Sequence, residues 1–185
     1  MEAFLLSTGI VALAEMGDKT QLLSLLLAAR FRRPWIILLG ILIATTANHG
    51  LAGALGGWVS GVIGREALRW ILGVSFVAMA LWILVPDKAD GAQRHATRFG
   101  VLGTTVIAFF LAEMGDKTQI ATVALAAKYS AFAAVVGGTT LGMMLANAPA
   151  VFLGERLAQR IPFKLARIAA AVAFGIVAAV LLLHP

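Results

Sequence analysis

A chain of 185 residues that is 61% hydrophobic and 13% charged, with a mean hydropathy of +0.93, is far more apolar than a soluble domain, whose apolar share is about 45–50%; this composition places it in a membrane. Its formal net charge of +6 would point to nucleic acid in a soluble protein, but most of its basic residues lie between apolar runs, where they set orientation and meet lipid head groups, so a nucleic-acid partner is excluded. The absence of cysteine rules out disulfides, thiolate metal sites and iron–sulfur clusters, so any metal must find oxygen, imidazole or thioether ligands.

The N-terminal Met1-Glu-Ala-Phe has no basic n-region, and the apolar run behind it continues to Ala29. It reads as a first membrane span, not a cleaved signal peptide. Six segments approach the roughly 20 apolar residues that a spanning helix needs: Ala3–Ala29, Trp35–Ile63, Leu68–Val85, Val101–Ala127, Ala131–Leu153 and Leu165–Leu183. None alternates at period two, and backbone polar groups cannot stay unpaired in hydrocarbon, so the expected class is an all-α integral membrane protein with six transmembrane helices.

The first segment carries Leu13-Ala-Glu-Met-Gly-Asp-Lys-Thr-Gln21, and the same nine residues return as Leu111–Gln119, ninety-eight positions later. Leu27-Ala28-Ala29-Arg30-Phe31 likewise matches Leu125-Ala126-Ala127-Lys128-Tyr129, and Asn48 has a rough counterpart in Asn147. The chain is built twice. Residues 1–85 form a first three-helix repeat, 86–98 a polar linker, and 99–185 a second repeat. An odd number of spans per half makes the second copy enter from the opposite face, which gives an inverted repeat.

Lysine and arginine counts set the orientation. One face holds Arg30, Arg32, Arg33, Lys88, Arg94, Arg98, Arg156, Arg160, Lys164 and Arg167, and the other only Arg65, Arg69 and Lys128. This puts the linker in the cytoplasm and both termini outside it. Trp35, Trp58 and Trp70 fall near predicted span ends, as an interfacial belt requires. Small residues at four-residue spacing, Gly53, Gly57 and Gly61 in span two and Gly138, Gly142, Ala146, Ala150 and Gly154 in span five, predict that these two helices pack closely. Pro149 is a candidate break or kink beside Asn147.

The chemistry lies in the doubled motif. Glu15 is twelve residues beyond Ala3, about 18 Å along a helix and near the middle of the bilayer, where ionisable groups are costly unless they serve a site. On a continuous helix Glu15 and Asp18 share a face one turn apart, as do Glu113 and Asp116. Face to face, the repeats would bring four carboxylates into one cavity, some of them holding protons when no cation is bound. The candidate ligand set is Glu15, Asp18, Gln21, Glu113, Asp116 and Gln119, with support from Lys19, Thr20, Asn48, Lys117, Thr118 and Asn147. All-oxygen ligands favour hard divalent ions such as Ca²⁺, Mg²⁺ or Mn²⁺. Four acids at −4 and two lysines at +2 leave −2, which one divalent ion neutralises. Gly17 and Gly115 are expected to mark a broken or loosened helix whose freed carbonyls could add ligands. Lys19 and Lys117 are expected to pair with neighbouring acids. Met16 and Met114 are read as buried packing ahead of thioether ligation. His49 is balanced between proton relay and structural core.

Two copies of Glu-x-Gly-Asp-Lys-Thr, at Glu15–Thr20 and Glu113–Thr118, resemble the Gdt-type cation exchangers, a Ca²⁺/Mn²⁺:H⁺ antiporter family. The resemblance covers essentially the whole chain. It implies a secondary active transporter and not an enzyme, with no cofactor, whose Glu15, Asp18, Glu113 and Asp116 bind the transported cation and export it in exchange for protons. The short linker looks like the bacterial inner-membrane branch of manganese exporters. The rival readings are a small-organic-cation or amino-acid exporter of the lysine-exporter type, whose substrate amino group the carboxylates would receive, and an intramembrane hydrolase with paired carboxylates activating water. A structural subunit is a third. The lysines beside the acids argue against the hydrolase, and no Ser/His or zinc-binding constellation supports another chemistry.

Overall fold

The computed structural model describes residues 1–85, 99–153 and 163–183, and among them every regular element is a helix. In chain order these are α1 (Glu2–Glu15), α2 (Lys19–Phe31), α3 (Pro34–Val62), α4 (Arg65–Trp82), α5 (Gly100–Glu113), α6 (Lys117–Tyr129), α7 (Phe132–Leu153) and α8 (Phe163–Leu183). The linker, with Lys88, Arg94, His95 and Arg98, lies outside the described residues, as do Gly154, Arg156, Arg160 and His184.

The first and fourth apolar segments are each two helices joined end to end, as the glycines predicted. Gly17 has φ 79° and Gly115 φ 75°, a left-handed turn that a glycine adopts at little cost and that ends a helix. Asp18 and Asp116 then open the next helix in extended conformations of φ −81°, ψ 167° and φ −82°, ψ 164°. The far ends match as well: Arg32 and Ser130, again ninety-eight residues apart, close α2 and α6 in the left-handed region at φ 53° and 47°. The two halves therefore share their local backbone down to single caps. One expectation is corrected by this break. Glu15 ends α1 while Asp18 caps α2, so the two acids lie on different helices and share no helix face.

Helices α3 and α7, of 29 and 22 residues, are long and apolar enough to cross a membrane. Pro34 occupies the first turn of α3, where its missing N–H costs nothing. Pro149 sits inside α7, which nonetheless runs unbroken to Leu153, so the expected break is absent.

Packing exchanges the halves. α1 and α2 lie against α7, α5 and α6 lie against α3, α3 touches α7, and α4 pairs with α8. The glycines explain the closeness: the expected α3–α7 contact is made, and most of the small residues also seat these helices on other partners. A side chain at Gly142 would stand 2.6 Å from the Thr8 carbonyl oxygen and one at Gly138 2.5 Å from that of Phe4, so this stripe seats α7 on α1. On α3, Gly40 faces Thr105 of α5 and Gly56 faces the Val123 carbonyl of α6. Gly53 alone of the predicted α3 stripe meets α7, against Val136 and Phe132, while Gly57 and Gly61 face open space. Two apolar clusters fill the interior, one centred on Phe76, Phe174 and Leu125 and the other on Ile37, Ile41, Phe109 and Met143.

The α4–α8 pair leans on α1 and α6. Leu111, in the last turn of α5, and Met114, which follows it, are each 58% exposed, so the expectation of a buried Met114 does not hold. Trp35, Trp58 and Trp70 are all exposed, as predicted for a belt.

Candidate metal centre

The four helix ends created by the two breaks meet in the interior. Glu15 and Glu113, the last residues of α1 and α5, are both fully buried. Each is held by the threonine five residues on: Thr20 donates its hydroxyl to Glu15 Oε2 at 2.6 Å, and Thr118 to Glu113 Oε2 at 2.9 Å. That contact exists because the chain turns back at the glycine, bringing the first turn of the next helix over the glutamate. In both glutamates the second oxygen, Oε1, is buried and has no hydrogen-bond partner among the described residues. A carboxylate oxygen buried this way is costly unless something else binds it.

Oxygens of Glu15, Glu113 and Asp116 lie within 4.8 Å of one another. These three carboxylates, from both halves, form one cluster. Asp18 lies beside this cluster. Its carboxylate is paired with Lys117 Nζ at 2.6 Å, an ion pair with both side chains out of solvent, while Lys19 Nζ lies 3.1 Å from Asp116 Oδ2 with its side chain 31% exposed. Each lysine thus forms an ion pair with the aspartate of the other half, where an acid of its own motif was the expected partner. Asp116 Oδ1 also accepts the Lys117 backbone N–H at 2.7 Å, which fixes its rotamer at the helix start.

The glutamines fasten the breaks. Gln21 Oε1 accepts the Gly17 N–H at 3.0 Å and Gln119 Oε1 accepts that of Gly115 at 2.7 Å. Their amide groups then diverge: Gln21 Nε2 donates to the Ala146 carbonyl at 3.0 Å, and Gln119 Nε2 donates to Asn48 Oδ1. Asn48 in turn donates to the Phe110 carbonyl at 3.3 Å, one turn before Glu113. Asn147 accepts the Ser24 hydroxyl at 2.7 Å and donates to the Met143 carbonyl at 3.0 Å. Every predicted residue of the two motifs is therefore at or beside one centre, with Asn48 and Asn147 bracing it from α3 and α7. Ser24 was missed. Its signal was its place one turn beyond Gln21 on the face that must meet α7. His49 is fully buried on α3 with neither ring nitrogen hydrogen-bonded among the described residues, and it is not one of the clustered ligands.

Comparison with known proteins agrees with this geometry. The family model for the divalent cation/proton antiporter GDT1 matches residues 3–91 and 101–185. The chain is 52% identical over 168 residues to a Vibrio cholerae protein named "Putative manganese exporter", covering 90% of this chain and 84% of that one. It is 30% identical over 186 residues to GDT1-like protein 3 of Oryza sativa subsp. indica, covering 86% of this chain and 66% of the rice protein. A GDT1-like protein of Synechocystis is 28% identical over 183 residues, covering 89% and 88%. No solved structure matches.

Proposed function

This chain belongs to the GDT1 family of divalent cation/proton antiporters, and from that premise we propose that it exports Mn²⁺ in exchange for protons at the centre formed by Glu15, Glu113 and Asp116. Membership of a transporter family favours this reading over a hydrolase. The observation that carries the proposal is the cluster itself: three buried carboxylates from both halves, the two glutamates each with a buried oxygen that has no hydrogen-bond partner among the described residues. Oxygen ligands of this kind suit a hard divalent cation. The similarity to a protein named as a manganese exporter favours Mn²⁺ over Ca²⁺.

The charges suggest a ratio. Asp18 and Asp116 are each matched by a lysine, so the two aspartates and two lysines sum to zero. Glu15 and Glu113 remain. As carboxylates they balance one divalent ion, and as carboxylic acids they balance nothing, so the centre can return neutral with two protons or with one metal ion. Ion and protons then compete for the same oxygens, and metal binding releases protons. Gln21 and Gln119 each keep a second lone pair on Oε1 that can complete the coordination shell, and Thr20, Thr118, Asn48 and Asn147 hold the ligands in place.

The matching breaks, matching caps and exchanged packing of α1–α4 and α5–α8 support an inverted repeat of six spans, with α1–α2 and α5–α6 each crossing as a broken helix. The family model's match in two separate segments, one per half, supports the same division. In this reading the protein sits in a bacterial inner membrane with both termini outside.

The test is Mn²⁺ flux in proteoliposomes under an imposed pH gradient, with Ca²⁺ alongside and proton movement recorded. The expected result is gradient-driven Mn²⁺ transport with about two protons moved per ion, as charge balance at the centre requires. Mn²⁺ flux indifferent to the pH gradient would reject the exchange.

A further inference from the structure

The two motifs are identical in sequence and yet their lysines are set differently. Lys117 is sealed in: its ammonium meets Asp18 at 2.6 Å, with the two side chains 4% and 0% exposed. Lys19 is 31% exposed, and the oxygen it faces at 3.1 Å, Asp116 Oδ2, belongs to an aspartate of the three-carboxylate cluster. Asp116 Oδ1 already accepts a backbone N–H. A metal ion drawing on Asp116 must therefore contend with the Lys19 ammonium.

From this asymmetry we infer that Lys19 is a tethered counter-cation that the arriving metal ion displaces from Asp116, and that it screens the centre against monovalent ions, while Lys117 is a fixed partner of Asp18. The inference rests on the cargo being a divalent cation. Its physical basis is a comparison of charges. A free Na⁺ or K⁺ that replaced the ammonium would exchange one positive charge for another and gain no electrostatic advantage over a cation already held in place. A divalent ion brings twice the charge to Asp116 and reaches the open oxygens of Glu15 and Glu113 as well. The partial exposure of Lys19 gives its ammonium a route to water on a long flexible stem, so it can leave without being stranded in a dry interior. Lys117 has no such route, and separating it from Asp18 would leave two buried charges apart.

The direct test follows the native lysines. The intact protein in detergent is treated with formaldehyde and a borane reductant, with and without saturating Mn²⁺, and methylation at each lysine is quantified by mass spectrometry. Mn²⁺ should raise the reactivity of Lys19 severalfold and leave Lys117 unreactive in both states. Equilibrium Mn²⁺ binding supplies a second readout. Lys19→Gln should bind Mn²⁺ about tenfold more tightly, as expected when a competing charge is removed, and its binding should become sensitive to Na⁺, to which the wild-type protein is indifferent. Lys117→Gln should lower thermal stability without conferring Na⁺ sensitivity. Unchanged or reduced methylation of Lys19 in Mn²⁺, or equal behaviour of the two lysines, would overturn the inference even where the exporter reading stands. If the wild-type protein binds neither Mn²⁺ nor Ca²⁺, the exporter reading itself falls and this inference with it.

Discussion

Removing one hydroxyl, in Thr118→Val, tests whether the glutamates act as charged ligands. Thr118 is fully buried, and valine keeps its branched shape, so no cavity opens and the main loss is the 2.9 Å hydrogen bond to Glu113 Oε2. The neighbouring Thr122 bonds the backbone carbonyl of residue 118, which is unaffected. Since Oε1 of Glu113 already has no hydrogen-bond partner, the variant leaves both oxygens of that carboxylate without a side-chain donor. A hydrogen bond to a charged group is worth about 1.5–3 kcal/mol, and the metal needs the charged form, so Mn²⁺ affinity at neutral pH should fall by about tenfold to about 150-fold. The loss should shrink as pH rises, because once the unliganded carboxyl is itself ionised the threonine favours the free and the metal-bound forms alike. The assay is titration of purified protein with Mn²⁺, free ion being read by electron paramagnetic resonance at several pH values. Thr20→Val, which removes the shorter 2.6 Å bond to Glu15, should behave alike. Affinity within about twofold of wild type in both variants would refute the idea that these glutamates bind the ion as carboxylates held by threonine.

Three further outcomes follow from the ion pairs, the breaks and the loop charges. Asp116→Asn should abolish transport with little loss of thermal stability, since it strands only the half-exposed Lys19. Asp18→Asn should abolish transport and also cost about 3 kcal/mol, because it takes the ion pair from a buried lysine; flux and melting curves of the two variants side by side check this, and equal stabilities would contradict it. Gly115→Ala meets no neighbouring atom but must hold φ 75°, so it should destabilise by about 1–2 kcal/mol through backbone strain alone, seen as a lower unfolding temperature. A cysteine placed at Ala92 in this cysteine-free chain should resist impermeant thiol reagents added to intact cells; its labelling from outside would reverse the orientation.

The chain announced its centre more clearly than its contacts. A nine-residue cluster repeated at a spacing of ninety-eight was enough to find the acids, threonines and glutamines that converge, and the glycines between the acids foretold the breaks. Pairing across the halves could not be read, because a helix break removes the angular relation between Glu15, Asp18 and Lys19 on which any sequence argument about neighbours depends. The result was four acids expected in one cavity where three cluster and Asp18 stands with Lys117. Glycine spacing showed similarly that α3 and α7 approach closely, but not that most of the small residues would face other helices. The stripe on α7 takes α1 because Gly138 and Gly142 lie against the Phe4 and Thr8 carbonyls, a choice made by the exchange of halves and not by any one segment. Ser24 escaped for the same reason, since its partner Asn147 is 123 residues away.

The two breaks also settle the electrical background against which the side chains act. Helices α1 and α5 end at the centre, and α2 and α6 begin there. A helix end carries about half a unit charge, negative at the C-terminus and positive at the N-terminus, so two ends of each sign bring a backbone contribution near zero. The scaffold is thus a neutral holder. The affinity of the centre for one valence over another is left to six ionisable side chains, four acids and two lysines, each replaceable without disturbing the frame's own field. A duplicated broken helix of this kind can change the ion it handles by point substitution alone, while its backbone stays as it is.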